Sequence, residues 1–319
     1  MTSADSAGIP RPPPVSVVIP AYNRESSIVA AIESVLGQSF GDFELLVVDD
    51  GSTDGTLAAA RSVTDPRLRV IAAPRNGGAA AARNLGAAQA RGDWIAFQDS
   101  DDEWLPKKLE KQMARLLAPG AAYVGAYCGL LTLGWLDARP GERTRIRYRP
   151  DPAIAAVDGD ILGQLLAGNL ISTQTLVVRH DRFHALGGFD PDTTPVEDWD
   201  FVIRLAGAGP IAFVDEPLAQ QRFSPNSITR DRARALASTE RVLAKNEAAY
   251  VRHPAAFAEQ CYRIAGGHRQ RGDLAAARAW LVRGRRAAPG APKLRAKLWA
   301  MSLGVAGLGL LPARLASRG

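Results

Sequence analysis

Trp-Ile-Ala-Phe-Gln-Asp-Ser-Asp-Asp-Glu, residues 94–103, is the stretch that decides the fold. Its first four residues are apolar, which predicts a buried strand, and its acidic residues follow at the carboxyl end of that strand. Carboxylates crowded in this way repel one another unless a cation neutralises them. Asp99 and Asp101 are spaced to reach one divalent ion together with a substrate phosphate. The alternative is a solvated turn that leads into a helix, where acidic residues are also favoured.

Apolar strands followed by polar loops also occur three times closer to the N-terminus. Predicted strands cover residues 15–19, 43–48 and 68–72, and apolar residues at helical spacing lie between them. Continuous apolar strands that alternate with helices indicate an α/β fold with a doubly wound, mostly parallel sheet. Ligands of such sheets bind beyond the carboxyl ends of the strands. Tyr22 and Asp50 lie in loops at those ends, so we expect one shared crevice there.

Three regions are expected along the 319 residues of the chain. Residues 1–14 are rich in Ser, Ala and Pro and lack the apolar segment of a secretory signal, which predicts a disordered lead-in. Residues 15–228 carry the alternating strands and helices of one large domain. Residues 229–319 change to a helical pattern with breaks at Gly272 and Gly290, which predicts a helical C-terminal appendage.

The composition is that of a globular protein, with 46% hydrophobic and 23% charged residues. The formal net charge of +6 is unevenly placed, because ten basic residues and one acid lie between residues 263 and 297. No nucleic-acid partner is predicted. Cys128 and Cys261 provide neither a disulfide framework nor the spacing of a metal site, which suits the reducing cytoplasm.

The basic segment continues into the apolar residues 298–311, which are fewer than the roughly 20 needed to span a membrane. Basic residues beside an apolar helix can hold a protein on an anionic membrane surface. Peripheral contact of residues 263–311 with the inner face of the cytoplasmic membrane is therefore one expectation. The other is that the apolar residues pack on the protein and the arginines form a solvated face.

Several sequence blocks follow one another along residues 15–225. They are Val-Ser-Val-Val-Ile-Pro-Ala-Tyr-Asn (15–23), Phe-Glu-Leu-Leu-Val-Val-Asp-Asp-Gly-Ser-Thr-Asp-Gly-Thr (43–56), Asn-Gly-Gly (76–78), Ala-Arg-Asn (82–84), residues 97–104, Gly-Gly-Phe (187–189) and Glu-Asp-Trp-Asp (197–200). Together these blocks resemble family-2 glycosyltransferases of the GT-A fold. That resemblance implies an inverting transfer of a sugar from a nucleotide-diphosphate donor, with a UDP-sugar expected. The acceptor would be a saccharide or a lipid-linked molecule in cell-surface polysaccharide or glycolipid synthesis.

The resemblance also implies which residues bind the nucleotide. Tyr22 would stack on the base, and Asp50 would accept a hydrogen bond from the imide N–H of a pyrimidine. Arg83 would approach the base or the diphosphate, and a structural ion pair is the equal alternative. The full implied set is Pro20, Tyr22, Asp50, Arg83 and Asp99.

The remaining roles implied by the resemblance concern catalysis. Asp198 would be the general base that takes a proton from the acceptor hydroxyl during its attack on the anomeric carbon. Asp101 would be the direct ligand of Mg²⁺ or Mn²⁺, which would stabilise the departing diphosphate. Glu197, Asp200 and Gly188 would orient or bind the acceptor.

Two departures from the family pattern bear on the expected reaction. Ser224 stands where many members carry a His, which leaves open whether the protein supplies a third metal ligand. The Gln-x-x-Arg-Trp motif of processive synthases is missing, which favours transfer of a single sugar. Two alternatives stay open. A sugar-nucleotide nucleotidyltransferase should carry a Gly-rich N-terminal phosphate loop, and a non-catalytic adaptor would dock partners through the basic helices.

Overall fold

The structure is a computed structural model. It describes residues 12–134, 146–151, 157–222, 231–288 and 292–305. Most of the predicted lead-in, Ser224 and residues 306–311 of the apolar segment lie outside the described residues.

The described strands form one mixed sheet, in the order β3-β2-β1-β4-β8-β6-β9-β5, with β7 paired to β6. The strands are β1 (Val15–Ala21), β2 (Phe43–Asp49), β3 (Leu68–Ala72), β4 (Trp94–Phe97), β5 (Glu103–Trp104), β6 (Gly125–Leu133), β7 (Ile146–Arg149), β8 (Val177–Arg179) and β9 (Ile211–Arg222).

Strands β1 to β4 are mutually parallel, as the sequence predicts. Val15 of β1 lies opposite Phe43 of β2 and Trp94 of β4, and β2 pairs in parallel with β3. Their carboxyl ends therefore meet at one edge of the sheet. The acidic residues after β4 lie at this edge with the loops after β1 and β2.

In the second half of the sheet, the apolar pattern of the sequence predicts strands over 173–178, 211–214 and 218–223, and the structure differs at all three. A predicted strand over 173–178 is a short 3₁₀ turn at Thr173–Thr175 followed by the brief strand β8. The segments 211–214 and 218–222, predicted to belong to two strands, are parts of the single strand β9, and residue 223 lies outside the described residues. The pairing of β9 with β6 shifts register beside Pro217, which has no N–H to donate.

Twelve α-helices lie within the described residues. They are α1 (Ile28–Leu36), α2 (Thr56–Ser62), α3 (Ala79–Ala88), α4 (Lys108–Leu116), α5 (Leu162–Ala167), α6 (His180–Ala185), α7 (Glu197–Ala208), α8 (Arg232–Lys245), α9 (Glu247–Arg252), α10 (Pro254–Gln270), α11 (Leu274–Ala287) and α12 (Pro292–Val305).

Apolar cores cover both faces of the sheet, because successive strand residues point to opposite sides. Val17 of β1 packs into the core with α1 and α4, whereas Val18 packs into the core with α3 and α7. Helix α3 lies very close to β1, since a Cβ on Gly86 would come within 2.4 Å of Val18 Cγ1. The alanines and glycine of α3 therefore bring its N-terminus close to the sheet edge.

The helical C-terminal region packs on the sheet domain through α10, which contacts α5, and forms a smaller apolar core of its own. The sequence pattern near 231–249 predicts one helix, and the structure divides it at Asn246 into α8 and α9. Leu298 of α12 is fully buried in this smaller core, whereas Trp299 is 53% exposed. Within the described part of the chain, every helix is too short or too polar to cross a membrane.

Candidate active site

The loops after β1 and β2 are tied together at the carboxyl edge of the sheet. The Oδ1 atom of Asn23 accepts a hydrogen bond from the Thr53 N–H at 2.9 Å, and the Ser52 hydroxyl accepts one from the Asn23 N–H at 3.0 Å. Asn23 has a positive φ of 51°, a conformation that Asn tolerates better than most residues. Tyr22 beside it is 43% exposed and free to contact a ligand, whereas Pro20 is buried within β1.

Asp50 joins the β2 edge to the loop before α3. Its two carboxylate oxygens accept hydrogen bonds from the N–H groups of Gly77 and Gly78 at 2.9 and 2.7 Å. Burial raises the pKa of Asp50, and these two amides oppose that rise. Gly51 has a φ of +73°, and a Cβ there would approach the Asn76 nitrogen to 2.9 Å. The turn after Asp50 thus requires glycine, and the carboxylate is held in a fixed orientation.

Arg83 links the two halves of the site. From α3 it donates to Asp99 at 2.7 Å and to Glu197, the first residue of α7, at 2.9 Å. Its side chain is only 7% exposed, and the two carboxylates hold the pKa of Arg83 above its ordinary value against the effect of burial. The Arg83 Nε and the Glu197 Oε2 have no partner among the described residues. The structure thus shows Arg83 in ion pairs with Asp99 and Glu197, and its approach to a nucleotide stays a prediction.

Asp101 faces Arg24 of the β1 loop, with 3.3 Å between the guanidinium and the carboxylate. Burial and the charge of Asp99 raise the pKa of Asp101, and Arg24 lowers it. Within the described residues no group of three or more His, Cys, Asp or Glu side chains could hold a metal ion by itself. Asp101 and Asp99 nevertheless suit a hard cation, because they are partly exposed carboxylates whose charges repel.

Asp102, the third carboxylate of the cluster, has a structural position. It is 2% exposed, accepts from the Gln174 amide at 2.8 Å and accepts from the Arg222 N–H at 3.1 Å. Burial and the neighbouring charges of Asp99 and Asp101 raise the pKa of Asp102 well above its ordinary value. Asp102 therefore fastens the acidic loop to the end of β9.

Asp198 lies in the first turn of α7, where the helix dipole favours an acidic side chain. Burial and the adjacent Glu197 charge raise the pKa of Asp198 to about 7, although the Trp199 N–H, Arg83 and the Asn169 side chain favour the ionised form. The Trp199 N–H donates to its carboxylate at 2.7 Å. A partly buried carboxyl group with such a pKa can exchange a proton near neutral pH.

Two of the predicted acceptor residues, Asp200 and Gly188, are buried. Asp200 is fully buried and accepts from Arg204 at 2.6 Å and from Lys245 of α8 at 2.9 Å, so it fastens α8 to α7. Gly188 is buried in a turn at a φ of 66°, and a Cβ there would lie 2.6 Å from Asn84 Oδ1. The structure therefore gives both residues packing roles and provides no surface on Asp200 for an acceptor.

Comparison with known proteins connects this geometry to a family. Residues 16–152 match the model of glycosyl transferase family 2. The glycosyltransferase TuaG of Bacillus subtilis (strain 168), named for teichuronic acid biosynthesis, is 30% identical over 230 residues, which cover 71% of this chain and 86% of TuaG. The chain belongs to glycosyltransferase family 2. Family membership disfavours both the nucleotidyltransferase and the adaptor alternative.

A second relative of this family-2 glycosyltransferase is WfgD of Escherichia coli, named UDP-Glc:alpha-D-GlcNAc-diphosphoundecaprenol beta-1,3-glucosyltransferase. The two are 41% identical over 110 residues, or 34% of this chain and 44% of WfgD. The chain therefore spans 44% of the length of WfgD, and it spans 32% of the length of another curated relative that it matches.

The solved structure of Staphylococcus aureus TarS 1-349 in complex with UDP-GlcNAc confirms the GT-A fold. It superposes with a TM-score of 0.66 and covers 91% of this chain and 90% of the TarS chain, at 18% identity. The likeness thus extends beyond the sheet domain into the helical C-terminal region.

Three further residues of this glycosyltransferase lie at the site without a sequence pattern that marks them. Arg24 follows β1, so its place at the sheet edge was predictable but its pairing with Asp101 was not. Asn169 hydrogen-bonds Asp198, and Arg149 at the end of β7 lies close enough for its charge to interact with that carboxylate. Both come from segments whose position depends on how β6 to β9 pack.

Proposed function

We propose that the protein is an inverting glycosyltransferase that moves one sugar from a UDP-sugar to a hydroxyl of a saccharide or lipid-linked acceptor. The observation that carries this proposal is the position of the Asp198 carboxylate in the first turn of α7, next to Glu197 and its buried ion pair with Arg83. Burial at this position raises the pKa of Asp198 to about 7. Family membership supports the reaction class. The names of relatives such as WfgD and TuaG support a role in cell-envelope polysaccharide synthesis.

Asp198 would act as the general base. As the acceptor oxygen attacks the anomeric carbon, its proton passes to the Asp198 carboxylate and the bond between that carbon and the diphosphate oxygen breaks. Attack opposite the leaving group inverts the anomeric centre. A base with a pKa near the working pH combines a useful ionised fraction with enough basicity to take the proton. Glu197, fixed by Arg83, would hold the start of α7 and so keep Asp198 in position, because its second oxygen is buried.

The donor nucleotide would lie on the loops after β1 and β2. The exposed ring of Tyr22 would stack on the base, and Asp50 would accept from the base imide. Because the Gly77 and Gly78 amides already fix the Asp50 carboxylate, its free lone pairs point in a set direction before the nucleotide arrives. Arg83 would act mainly by positioning Asp99 and Glu197.

Asp101, with Asp99, would hold Mg²⁺ or Mn²⁺. Such an ion, when bound, would neutralise charge on the departing diphosphate. Arg24 lies on the other side of Asp101 and would add a fixed positive charge toward the same phosphates. We further propose that the protein works in the cytoplasm or on the inner face of the cytoplasmic membrane, where nucleotide sugars are used.

Nucleotide release from a panel of nucleotide sugars, with and without a saccharide or lipid-linked acceptor, tests the proposal. Asp198→Asn should lower kcat about 10²–10⁴-fold, as expected for loss of a general base, while leaving UDP affinity nearly intact. Asp192→Asn changes an exposed carboxylate six residues earlier and serves as the matched control. If kcat of Asp198→Asn stays within a few-fold of the wild-type value, another residue is the general base, and Glu197 is the first candidate.

A further inference from the structure

A cavity of about 230 Å³ lies where the sheet domain meets the C-terminal helices. Its walls come from the segment after α5, the start of α7, and helices α8 and α10. The volume is below the roughly 300–1,000 Å³ typical of drug-sized ligands, so it suits one sugar ring or one charged group of a larger molecule. The lining includes Asn169, Trp199, Leu236, Gln260, Arg263 and Ile264.

The cavity adjoins the proposed general base. Asn169 lines the cavity and also hydrogen-bonds the Asp198 carboxylate. Val196 and Trp199, on either side of the Glu197–Asp198 pair in sequence, line it as well. A molecule that enters the cavity would therefore place its neighbouring atoms beside Asp198. This is the location that an acceptor needs, because its hydroxyl must reach the base.

The lining combines an apolar wall with a few polar side chains, as small-molecule sites commonly do. Leu236 and Ile264 supply apolar surface, and Gln260 supplies an amide. Arg263 supplies the positive charge. Its side chain is 56% exposed, and its nearest carboxylate, Glu259, is 3.9 Å away, at the limit of an ion pair. A guanidinium so weakly paired can bind a phosphate or a carboxylate through two parallel hydrogen bonds.

The wall that carries Arg263 is held firmly in place. The amide of Gln260 donates to the backbone oxygens of Leu166 and Ala167 at 3.1 and 2.8 Å, and the Tyr250 hydroxyl donates to Leu166 O at 3.0 Å. Gly168 follows directly, and a Cβ there would lie 3.2 Å from Arg263 Nη1. The guanidinium of Arg263 thus lies close to the backbone at the end of α5, on a wall whose backbone is held by Gln260 and Tyr250.

We propose that this cavity is the acceptor subsite and that Arg263 binds an anionic group of the acceptor. That group would be a phosphate that links the sugar to a lipid, or the carboxylate of a uronic acid. The inference rests on the proposed function. It makes the C-terminal helices part of the active site, because Arg263 and Gln260 both come from α10.

Calorimetry on the full chain, saturated with UDP and Mg²⁺ so that the donor site is filled, tests the proposal. Three probes are titrated into this complex. An N-acetylglucosaminyl diphosphate with a short alkyl chain carries the phosphate, an alkyl glucuronide carries the carboxylate, and an alkyl N-acetylglucosaminide is neutral. We expect one anionic probe to bind, and its identity distinguishes phosphate from carboxylate. Arg263→Ala should weaken that probe about tenfold or more, the usual effect of losing a charge-assisted hydrogen bond, and Arg263→Lys should weaken it less.

Arg278→Ala, at an exposed arginine of α11, is the matched control and should leave every Kd unchanged. The inference is overturned if neither anionic probe binds wild type, or if Arg263→Ala and Arg278→Ala behave alike. UDP affinity is measured first on each protein. Absent UDP binding in wild type would refute the proposed function and this inference together. Normal UDP binding with probes insensitive to Arg263 would refute only the acceptor subsite.

Discussion

Replacing Arg83 with methionine tests whether the buried ion cluster holds the site together. The substitution keeps much of the apolar stem and removes hydrogen bonds of 2.7 Å to Asp99 and 2.9 Å to Glu197. Glu197 is 9% exposed and would be left as a buried charge without this partner. Removing one partner of a buried pair costs about 3–5 kcal/mol. Asp99 is 23% exposed and can regain water, so we expect a loss near the lower end, about 3 kcal/mol.

Arg179→Met is the matched control for this measurement. Arg179 pairs with Asp181 at 2.8 Å, a similar distance, but the two side chains are 45% and 56% exposed. Exposed pairs contribute about 0–1 kcal/mol. Urea unfolding at about neutral pH measures the free energy of unfolding of both variants against wild type. Equal losses below about 1 kcal/mol, with unchanged m-values, would refute the argument from burial.

The same substitution has an expected effect on catalysis. Arg83 is one of the groups that lower the pKa of Asp198. Loss of this cation disfavours the ionised carboxylate, so the pKa of Asp198 should rise above its wild-type value of about 7. The acidic limb of the kcat/KM profile should therefore move to higher pH in Arg83→Met and stay in place in Arg179→Met. An unmoved limb in the active variant would show that Arg83 does not act on the base.

Four further outcomes follow from particular residues and from the basic tail. In wild type, kcat/KM should fall as pH drops below about 7, because Asp198 must be ionised to accept a proton, and a pH–rate profile measures this. Asp101→Asn should weaken UDP binding with Mn²⁺ or Mg²⁺ and make it insensitive to chelator, whereas equal wild-type affinity with and without chelator would exclude the metal role. Lys108 is fully buried, and burial lowers its pKa to about 8. The unfolded state binds more protons than the folded state between about pH 8 and 10, so the buried charge of Lys108 lowers the free energy of unfolding most below about pH 8. Lys108→Met should therefore raise the free energy of unfolding by on the order of 1–2 kcal/mol at about pH 7 and by less at about pH 9.5, as measured by urea unfolding. Finally, full-length protein should co-sediment with anionic liposomes at low salt and less at high salt. If the full-length protein does not co-sediment at low salt, or if a version that ends near residue 289 binds equally well, the tail packs on the protein and does not bind the membrane.

Much of the fold was predictable because it depends on local pattern. The continuous apolar runs at 15–19, 43–48 and 94–97 became parallel strands, since a strand buried on both faces needs apolar residues throughout. The strand predicted over 173–178 was wrong for residues 173–175, because the polar side chains there find local or buried partners. The Thr175 hydroxyl, for example, donates to Ser172 O at 2.7 Å, which stabilises a turn there instead of a strand.

The site was predictable only in part. Strand ends placed Asp50, Asp99 and Asp101 at one edge of the sheet, since parallel strands share their polarity. The partners of these residues depend on tertiary packing that no spacing reports. Arg83 meets Glu197 across 114 positions of sequence. Asp200 lies in the same acidic block as Asp198, yet Lys245 of α8 and Arg204 bind it in a buried network.

The packing of α12 constrains how the basic tail could meet a membrane. Leu298 is fully buried among α10 and α11, so its insertion into lipid would require those helices to separate. Lys297 already pairs with Glu259 at 2.9 Å, and Arg285 lies over the Trp299 ring at 4.6 Å. These contacts orient the cations without removing their charge, so long-range attraction to anionic lipid persists while apolar insertion through Leu298 does not. Any attachment through the described part of the tail should therefore be electrostatic, and raising the salt concentration should release it.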